Sequence, residues 1–355
     1  MDPYADYIFP MVKALPLRSP GRNLAMAYLP ELEYLVSYEL KALLKLYTMK
    51  KTYVFLGVLL LIAAGCNVKS DTSSVPEEDG FSFAFLTDIH LQPEKQAVEG
   101  FRLAIDTLNK LNPDFVITGG DLVMDVLDQS YGRADSLFTL YKEVSGELNM
   151  PVYNTVGNHE VYGWHREEEG IESNPEFGKK MFEKRIGERY YSFDHKNWHF
   201  IILDAIYRSE DGHYIGRIDQ EQVDWLRGDL EETDKLTPIV ISVHIPFITS
   251  ATQLSRGSLA ANSEGSVITN SLEVLQLLRE HNLKLVLQGH LHFNEDLFVG
   301  EKVHFITAGA VSGRWWSNEP GSLPEEGFQM IHVKGDELSS EYIDYGWTPP
   351  EIHEW

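Results

Sequence analysis

From residue 81 onward, short apolar runs alternate with longer stretches in which apolar residues recur at helical spacing. The short runs are rich in β-branched and aromatic residues and predict strands, whereas the helical spacing predicts amphipathic helices. Strands are expected at 81–86, 115–118, 152–156, 190–194, 198–204, 239–243, 285–288, 303–308 and 329–333. Helices are expected near 95–111, 133–148, 176–186, 220–230 and 271–280.

The order of these elements indicates an α/β fold with some α+β character. Strands separated by helices favour a parallel sheet, while the late stretches without helices favour a second, more antiparallel sheet. Residues 190–204 are typical of a hairpin with its turn at Lys196-Asn197. The 355 residues suffice for one large or two small domains. No boundary is visible after residue 80, so residues 81–355 are expected to form a single domain.

The beginning of the chain follows a different pattern. Met49-Lys50-Lys51 is followed by an apolar run, residues 53–65, and then by Cys66, which is the order of a secretory signal. The run is short for a membrane span, and residues 49–66 resemble a bacterial lipoprotein signal in which the cysteine becomes acylated. The alternative is that Met1 starts the protein and the run is an internal helix or an uncleaved anchor.

This interpretation divides the amino-terminal part into three segments. Residues 1–48 are an upstream extension that is not expected to fold, residues 49–66 are the signal, and the polar residues 67–80 are a tether. Cys66 is the only cysteine, which excludes an internal disulfide and suits a lipid-bearing position. The protein is therefore expected at the bacterial cell envelope, anchored by lipid on Cys66 and facing the periplasm or the outside.

Polar residues of the kinds that bind metal ions follow five of the predicted strands. A single Asp, Asn or His at a strand end is usually a turn or helix cap, but capping does not readily explain five such strand ends. In an extended segment, residues i and i+2 point to the same side, so Asp88 and His90 are expected to reach one ion. Open α/β sheets place their sites at this edge. The candidates are Asp88, His90, Asp121, Asn158, His159, Glu160, His244, His290 and His292.

The spacing of these residues resembles that of the calcineurin-like metallophosphoesterases. The family pattern D-x-H, G-D, G-N-H-[ED], H and G-H-x-H is matched in order by Asp88-Ile-His90, Gly120-Asp121, Gly157-Asn-His-Glu160, His244 and Gly289-His-Leu-His292. The resemblance spans residues 81 to 335 and is nearest to the branch with bacterial cyclic-nucleotide and glycerophosphodiester phosphodiesterases. It implies two β-sheets packed face to face with flanking helices, and metal-dependent hydrolysis of a phosphate ester.

The resemblance also implies a role for each candidate residue. One ion would be bound by Asp88, His90, Asp121 and His292, and the other by Asp121, Asn158, His244 and His290. A hydroxide bridging the two ions would attack phosphorus, His159 would stabilise or protonate the leaving-group oxygen, and Glu160 would orient His159. Carboxylate, imidazole and amide ligands suit two divalent or mixed-valence ions of Mn, Fe, Zn or Ni.

Some residues of interest lie outside this pattern. Met124 stands where the purple acid phosphatases of the family have tyrosine, so their tyrosinate-iron colour is not expected. Arg314, Trp315 and Trp316 are candidates for pairing with a phosphate and stacking on a base or sugar, although a packed aromatic turn explains them equally well. The other histidines lack a partner motif and are left outside the predicted site: His165, His195, His199, His213, His281, His304, His332 and His353.

Charge limits the class of substrate. The formal net charge is −24, and the acidic excess remains when residues 1–66 are left out. Such a surface repels polyanions, and no basic stripe is visible, so a small phosphodiester or phosphomonoester is expected rather than a nucleic-acid polymer. The alternative is an envelope-anchored lipoprotein with the same fold that binds metal or a ligand with little turnover. His159 favours the enzyme, because a binding protein needs no leaving-group acid.

Overall fold

The computed structural model of the protein describes residues 80–317 and 326–348. The predicted upstream extension, signal and tether lie outside these ranges and stay predictions. No helix within the described ranges has the length and apolarity that a membrane crossing needs. The strands of the described part are β1 (Phe81–Leu86), β2 (Phe115–Thr118), β3 (Val152–Asn154), β4 (Tyr191–His195), β5 (Trp198–Leu203), β6 (Ile206–Arg208), β7 (Tyr214–Gly216), β8 (Pro238–Val243), β9 (Asn282–Gln288), β10 (Glu295–Val299), β11 (Val303–Thr307), β12 (Phe328–Lys334) and β13 (Glu337–Ile343).

The helices of the described part lie where helical spacing was read in the sequence, with one short addition. They are α1 (Ala97–Leu111), α2 (Tyr131–Ser145), α3 (Lys180–Arg185), α4 (Gln220–Glu232), α5 (Ala251–Arg256) and α6 (Ser271–Leu277). Ser130 and Asp219 cap α2 and α4, each accepting a hydrogen bond from a backbone N–H of the first turn. Asn112 ends α1 in a left-handed conformation.

The strands form two mixed sheets and a small ribbon. The first sheet has the order β13-β12-β1-β2-β3, and the second has the order β10-β11-β9-β8-β5-β4. In the first, β1, β2 and β3 run parallel; in the second, β5, β8, β9 and β11 run parallel. The fold is therefore the predicted α/β fold with α+β character.

The prediction that the late strands build a separate, more antiparallel sheet is wrong. β11 pairs in parallel with β9 in the second sheet, whereas β12 pairs antiparallel with β1 in the first. Apolar alternation shows that a segment is a strand, but it does not show which edge that strand extends. The ribbon of β6 and β7 was also not predicted, because its two strands have three residues each.

An aromatic layer fills the space between the two large sheets. Phe83 of β1 stacks on Phe115 of β2 with ring centroids 5.1 Å apart, and Phe200 of β5 meets Phe83 edge-on at 5.4 Å. Helices α1 and α2 pack on the outer face of the first sheet, and α4 and α6 pack on that of the second. The two sheets thus pack face to face with flanking helices, as expected, and the carboxyl ends of β1, β2, β8 and β9 lead to one place.

Candidate metal centre

All nine candidate residues of the five motifs lie together beyond these strand ends. Asp88 and His90 follow β1, Asp121 follows β2, His244 follows β8, and His290 and His292 follow β9. Asn158, His159 and Glu160 form a single 3₁₀ turn after β3. Most of these side chains are buried; His159, His290 and His292 are half-buried. Strand topology thus converts five separate sequence motifs into one cluster.

The backbone of the cluster differs from the expected extended geometry. Asp88 and His90 have left-handed φ angles of 55° and 47°, and Asp121, His290 and His292 have φ angles of 52°, 71° and 47°. The alternation argument for Asp88 and His90 was therefore wrong, although their side chains do converge. Left-handed residues other than glycine are uncommon, with Asp, Asn and His enriched among them, and they cluster at functional sites.

The first group of donor atoms is formed by Asp88, His90 and His292. His90 Nε2 lies 3.0 Å from His292 Nε2 and 3.8 Å from Asp88 Oδ1, and His292 Nε2 lies 3.3 Å from Asp88 Oδ1. Asp121 Oδ2 lies 3.8 Å from His90 Nε2. Ligands of one tetrahedral ion, each about 2.0 to 2.1 Å from it, are about 3.3 Å apart, so these separations suit a single cation.

The second group contains the same Asp121 oxygen. His244 Nε2 lies 3.2 Å from Asp121 Oδ2 and 3.2 Å from Asn158 Oδ1. His290 Nδ1 lies 3.2 Å from His244 Nε2. Asp121 Oδ2 therefore faces both groups, while Asp121 Oδ1 accepts a hydrogen bond from the backbone N–H of His159 at 3.0 Å. This leaves one oxygen of Asp121 available to be shared.

A buried oxygen without a partner tests whether the cluster fits a cation. Asp88 Oδ1 is buried and accepts no hydrogen bond, whereas Asp88 Oδ2 accepts from Thr87 Oγ1 at 2.7 Å and from the His290 N–H at 2.9 Å. Leaving a carboxylate oxygen buried and unpaired is costly unless a positive charge compensates it. The orphan oxygen faces His90 and His292, so the residues present fit a bound metal ion.

Hydrogen bonds behind the cluster fix how the imidazoles point. His244 Nδ1 donates to the Gly119 carbonyl at 2.7 Å, and His292 Nδ1 donates to the Gly313 carbonyl at 2.9 Å. These bonds leave Nε2 of both rings facing the cluster, where it can bind a cation once it carries no proton. Close packing restricts the loops as well: a Cβ at Gly157 would lie 2.2 Å from the backbone nitrogen of Asp121.

Three of the candidate residues are in the protonation state that binds a cation, whereas His244 is not: burial would lower the pKa of His244, but the charge of Asp121 raises it to about 9, so a metal ion would have to displace its proton. Burial lowers the pKa of His90 well below its ordinary value and that of His290 to about 4, which keeps both rings neutral. Burial would raise the pKa of Asp121, but the charges of His159 and His244 hold it well below its ordinary value. Neutral imidazole and ionised carboxylate are the forms that bind metal.

His159 lies beside the cluster. Its Nδ1 contacts the carbonyl of Met124, and its Nε2 is 3.8 Å from Asp121 Oδ2. The ring lies nearly perpendicular to His90, with centroids 4.6 Å apart. Burial lowers the pKa of His159, but the nearby charge of Asp121 reverses this effect and raises the pKa above its ordinary value. The charge of Asp121 therefore favours a protonated Nε2 on the side of the ring that faces the cluster.

Glu160 is fully buried and does not orient His159 in the expected way. Its Oε2 accepts hydrogen bonds from the backbone N–H groups of Gly157 at 2.8 Å and Asp121 at 2.9 Å, and Oε1 accepts from Val123 at 3.1 Å. Among the described residues, no hydrogen bond joins Glu160 to the His159 ring. Glu160 instead holds the loops of β2 and β3 together, and so fixes the backbone of Asp121.

The residues Arg314, Trp315 and Trp316 occupy a turn beside His90 and His292, but they face different surroundings. Trp315 is 38% exposed, and its ring centroid lies 4.7 Å from that of His292. Trp316 is 1% exposed, and its indole N–H donates to the Ile89 carbonyl at 2.9 Å and to the His90 carbonyl at 3.2 Å. Arg314 is half-buried. Trp315 borders the metal centre, whereas Trp316 is a core residue.

One residue beside the centre, Tyr214, was missed by sequence reasoning. Tyr214 of β7 meets His290 edge-on with ring centroids 6.0 Å apart. Beyond it, the ring of His165 lies 6.4 Å from that of Tyr214 and 5.7 Å from that of His213. Tyr214 belongs to no motif, and only the tertiary fold brings it to His290.

Two solved structures are similar to this chain at low sequence identity. A crystal structure of a dimetal phosphatase from Danio rerio is similar, with 16% identity, a TM-score of 0.55, and coverage of 75% of this chain and 96% of that chain. GAP50, the anchor in the inner membrane complex of Plasmodium, is 16% identical with a TM-score of 0.48 and coverage of 77% and 87%. No curated protein sequence matches the chain. At this identity, the likeness to the zebrafish protein shows a shared fold.

The match to a family model is more specific. Residues 81–294 match the calcineurin-like phosphoesterase model, which is more than half of the chain. The matched range begins with β1 and ends after His292, so it includes all five motifs and both groups of donor atoms. The chain belongs to the calcineurin-like phosphoesterase family.

Proposed function

We propose that the protein is a binuclear metallohydrolase that cleaves small phosphate esters. The observation that carries this proposal is the position of Asp121, whose Oδ2 lies 3.8 Å from His90 Nε2 on one side and 3.2 Å from His244 Nε2 on the other. One carboxylate oxygen placed between two groups of donor atoms is the arrangement that a bridging ligand requires.

The proposed ligands divide as the family resemblance implies. Asp88, His90, Asp121 and His292 would hold one ion, and Asp121, Asn158, His244 and His290 the other. A pair of divalent ions polarises a phosphoryl group and makes a strong nucleophile from water at neutral pH. The oxygen and nitrogen donors suit Mn, Fe, Zn or Ni, and none of the donors is a thiolate.

His159 is proposed as the acid for the leaving group. Its pKa is raised by the charge of Asp121, so the ring holds a proton more strongly than an ordinary histidine, and its Nε2 lies 3.8 Å from Asp121 Oδ2. A proton from Nε2 would pass to the ester oxygen as the bond to phosphorus breaks, which avoids expulsion of an alkoxide. Glu160 supports this role indirectly, because it fixes the backbone amides of Asp121 and Gly157.

The proposed substrate is a small organic phosphodiester or phosphomonoester. The acidic chain disfavours a nucleic-acid polymer. Trp315 is proposed to stack on the organic part of the ester, because it is exposed at the edge of the centre, and Arg314 is proposed to pair with the phosphate. The core position of Trp316 supports the packed-turn alternative for that residue, so no substrate contact is proposed for it.

The test is a panel of phosphoesters offered to protein loaded separately with Mn, Fe, Zn or Ni. Nitrophenyl phosphate and bis(nitrophenyl) phosphate report monoesterase and diesterase activity, and metal content is measured on the same samples. Asp121→Asn should lose metal and hydrolysis together, whereas Asp106→Asn on the exposed face of α1 should change neither. Equal metal content and activity in Asp121→Asn and wild type would refute the shared ligand.

An envelope location is proposed separately, on the pattern of residues 49–66 alone. The protein should partition into detergent as an acylated form, and Cys66→Ala should be misprocessed or released. A form that is not acylated and retains residues 1–65 would contradict this location, but it would leave the proposed reaction untouched.

A further inference from the structure

Tyr214 belongs to a well-anchored β-ribbon beside the metal centre. It belongs to the ribbon of β6 and β7, in which Tyr214 pairs with Arg208 and Ile215 pairs with Tyr207. Arg208 forms an ion pair with Glu172 at 2.7 Å. The end of the ribbon is fixed as well, because the Gly216 N–H donates to the Glu264 carbonyl at 2.7 Å. The ribbon therefore holds Tyr214 in a defined position.

The Tyr214 side chain is directed at the metal centre. Its ring meets the His290 ring edge-on, with an interplanar angle of 86°. The side chain is half-buried, and the charges of Asp121 and Asp125 act on its hydroxyl.

The hydroxyl of Tyr214 has no hydrogen-bond partner among residues 80–317 and 326–348. Packing against His290 needs only the ring, which phenylalanine would supply equally well. The hydroxyl is not among the buried polar atoms that lack a partner, so it is open to solvent and to a ligand that enters the metal centre. Because the Tyr214 ring contacts that of His290, a ligand bound at the metal centre would lie beside this hydroxyl and could replace water as its hydrogen-bond partner.

We propose that the Tyr214 hydroxyl donates a hydrogen bond to a non-bridging oxygen of the phosphoryl group bound at the metal centre. This inference rests on the proposed function, since it names a contact to that substrate. A tyrosine hydroxyl keeps its proton at neutral pH and can donate to an anionic oxygen. Hydrogen bonds to charged groups are the stronger ones, so the loss of this bond is expected to lower kcat/KM about 10- to 100-fold.

The experiment compares Tyr214→Phe with Tyr207→Phe in the metal-loaded protein. Both variants remove one hydroxyl from the same ribbon, but Tyr207 lies on the opposite face, where it is 40% exposed beside Arg217. Tyr214→Phe should bind inorganic phosphate more weakly and lose kcat/KM for nitrophenyl phosphate, with unchanged metal content and melting temperature. Tyr207→Phe should match wild type in all four measurements.

Two results would overturn the inference. One is wild-type phosphate affinity in Tyr214→Phe. The other is a loss of affinity that is not specific to the Tyr214 hydroxyl, either because Tyr207→Phe shows the same loss or because the loss disappears when binding is expressed per bound metal ion. If wild type hydrolyses no ester, the proposed function fails, but calorimetric titration with inorganic phosphate still decides the role of Tyr214. Weaker phosphate binding by Tyr214→Phe alone would then support the hydrogen bond.

Discussion

At the scale of single residues, a test can show whether His159 acts as a proton donor or as a metal ligand. His159→Ala is expected to retain both metal ions, because His159 contacts Met124 and the shared Asp121 but is not needed as a ligand. Its rate should fall about 10²- to 10⁴-fold for alkyl esters and much less for nitrophenyl esters, since a good leaving group needs little protonation. The measurement is kcat for a series of esters of graded leaving-group pKa, with metal content determined in parallel.

The control for this series is His304→Ala, at a half-buried histidine of β11 that stacks on Phe298. It should keep the wild-type dependence on leaving group. If His159→Ala slowed nitrophenyl and alkyl esters by the same factor, His159 would not be the acid. If it lost metal instead, the residue would belong to the donor groups.

The identities of these residues could be predicted from the sequence, but their geometry could not. Motif spacing brought out all nine residues of the cluster, because each motif follows a recognisable strand. The left-handed φ angles of Asp88 and His90 could not be predicted from the sequence, because apolar alternation describes the strand and not the loop after it. Glu160 was found for the wrong reason: its hydrogen bonds go to backbone amides, which no side-chain pattern encodes.

At the scale of elements, the turn at residues 311–317 is anchored to the loop after β1. The Val311 N–H donates to the Thr87 carbonyl at 2.9 Å, and Ser312 Oγ donates to the Asp88 carbonyl at 2.7 Å. Trp316 adds its indole hydrogen bonds to Ile89 and His90. The turn thus supports the metal ligands from behind while presenting Trp315 in front.

This division of roles predicts different consequences for the two tryptophans. Trp316→Ala should lower the free energy of unfolding by about 3 to 5 kcal/mol, as expected for removal of a fully buried aromatic side chain, and should reduce metal content. Trp315→Ala should cost about 1 kcal/mol or less because that side chain is partly exposed. Both residues have left-handed φ angles, so both substitutions place alanine in the same backbone conformation, and the strain of that conformation does not explain a difference between them. Urea denaturation measures both, and equal losses would contradict the assignment.

A second element-scale feature joins β5 to α4 away from the metal centre. His199 Nδ1 lies 2.7 Å from Asp194 Oδ1, and His199 Nε2 lies 2.9 Å from Asp229 Oδ2. Burial lowers the pKa of His199, but the hydrogen bonds to Asp229 and Asp194 outweigh burial and raise it above its ordinary value of 6.5. Both ring nitrogens donate in this arrangement, so the protonated form of His199 is favoured in the folded state.

The sign of the pH dependence follows. A raised pKa means that the folded state binds the proton more tightly, so the stabilising contribution is full below pH 6.5 and is lost as the pH rises through the folded pKa. The difference in unfolding free energy between wild type and His199→Gln should shrink from about pH 6 toward pH 9. At His281 burial lowers the pKa, so His281→Gln should show the opposite trend. If the difference in unfolding free energy between wild type and His199→Gln did not change with pH, protonation of His199 would not contribute to stability.

Sequence patterns predicted the elements better than their pairing. The helices from α1 to α6 were anticipated, except for the short α5, because amphipathic spacing is local. The sheet placement of β11 and β12 was predicted wrongly, because the sequence of a strand does not show which neighbouring strand it will pair with. The ribbon that carries Tyr214 was missed because its strands have only three residues each, and with it one side of the metal centre was missed.

At the scale of the whole molecule, charge should govern which phosphate esters are accepted. The chain has 54 acidic and 30 basic residues, so a long single-stranded DNA would approach a repelling surface without the counterion-releasing contacts that drive such binding. Turnover of a mononucleotide, a cyclic nucleotide or a glycerophosphodiester should depend weakly on ionic strength. Preferential cleavage of the DNA that steepens at low salt would overturn this expectation and imply a basic groove.

The five candidate ligand residues with left-handed φ angles also restrict how this centre can be altered. A β-branched or bulky replacement at Asp88, Asp121 or His290 would meet a backbone penalty of about 1 to 3 kcal/mol before any effect on ligand chemistry. Asn, Asp, His and Gly bear that conformation most easily. Few residue types can therefore be used at these positions to change the metal preference. Cysteine or glutamate would be disfavoured by the backbone conformation of the loop, whatever their affinity for the ion.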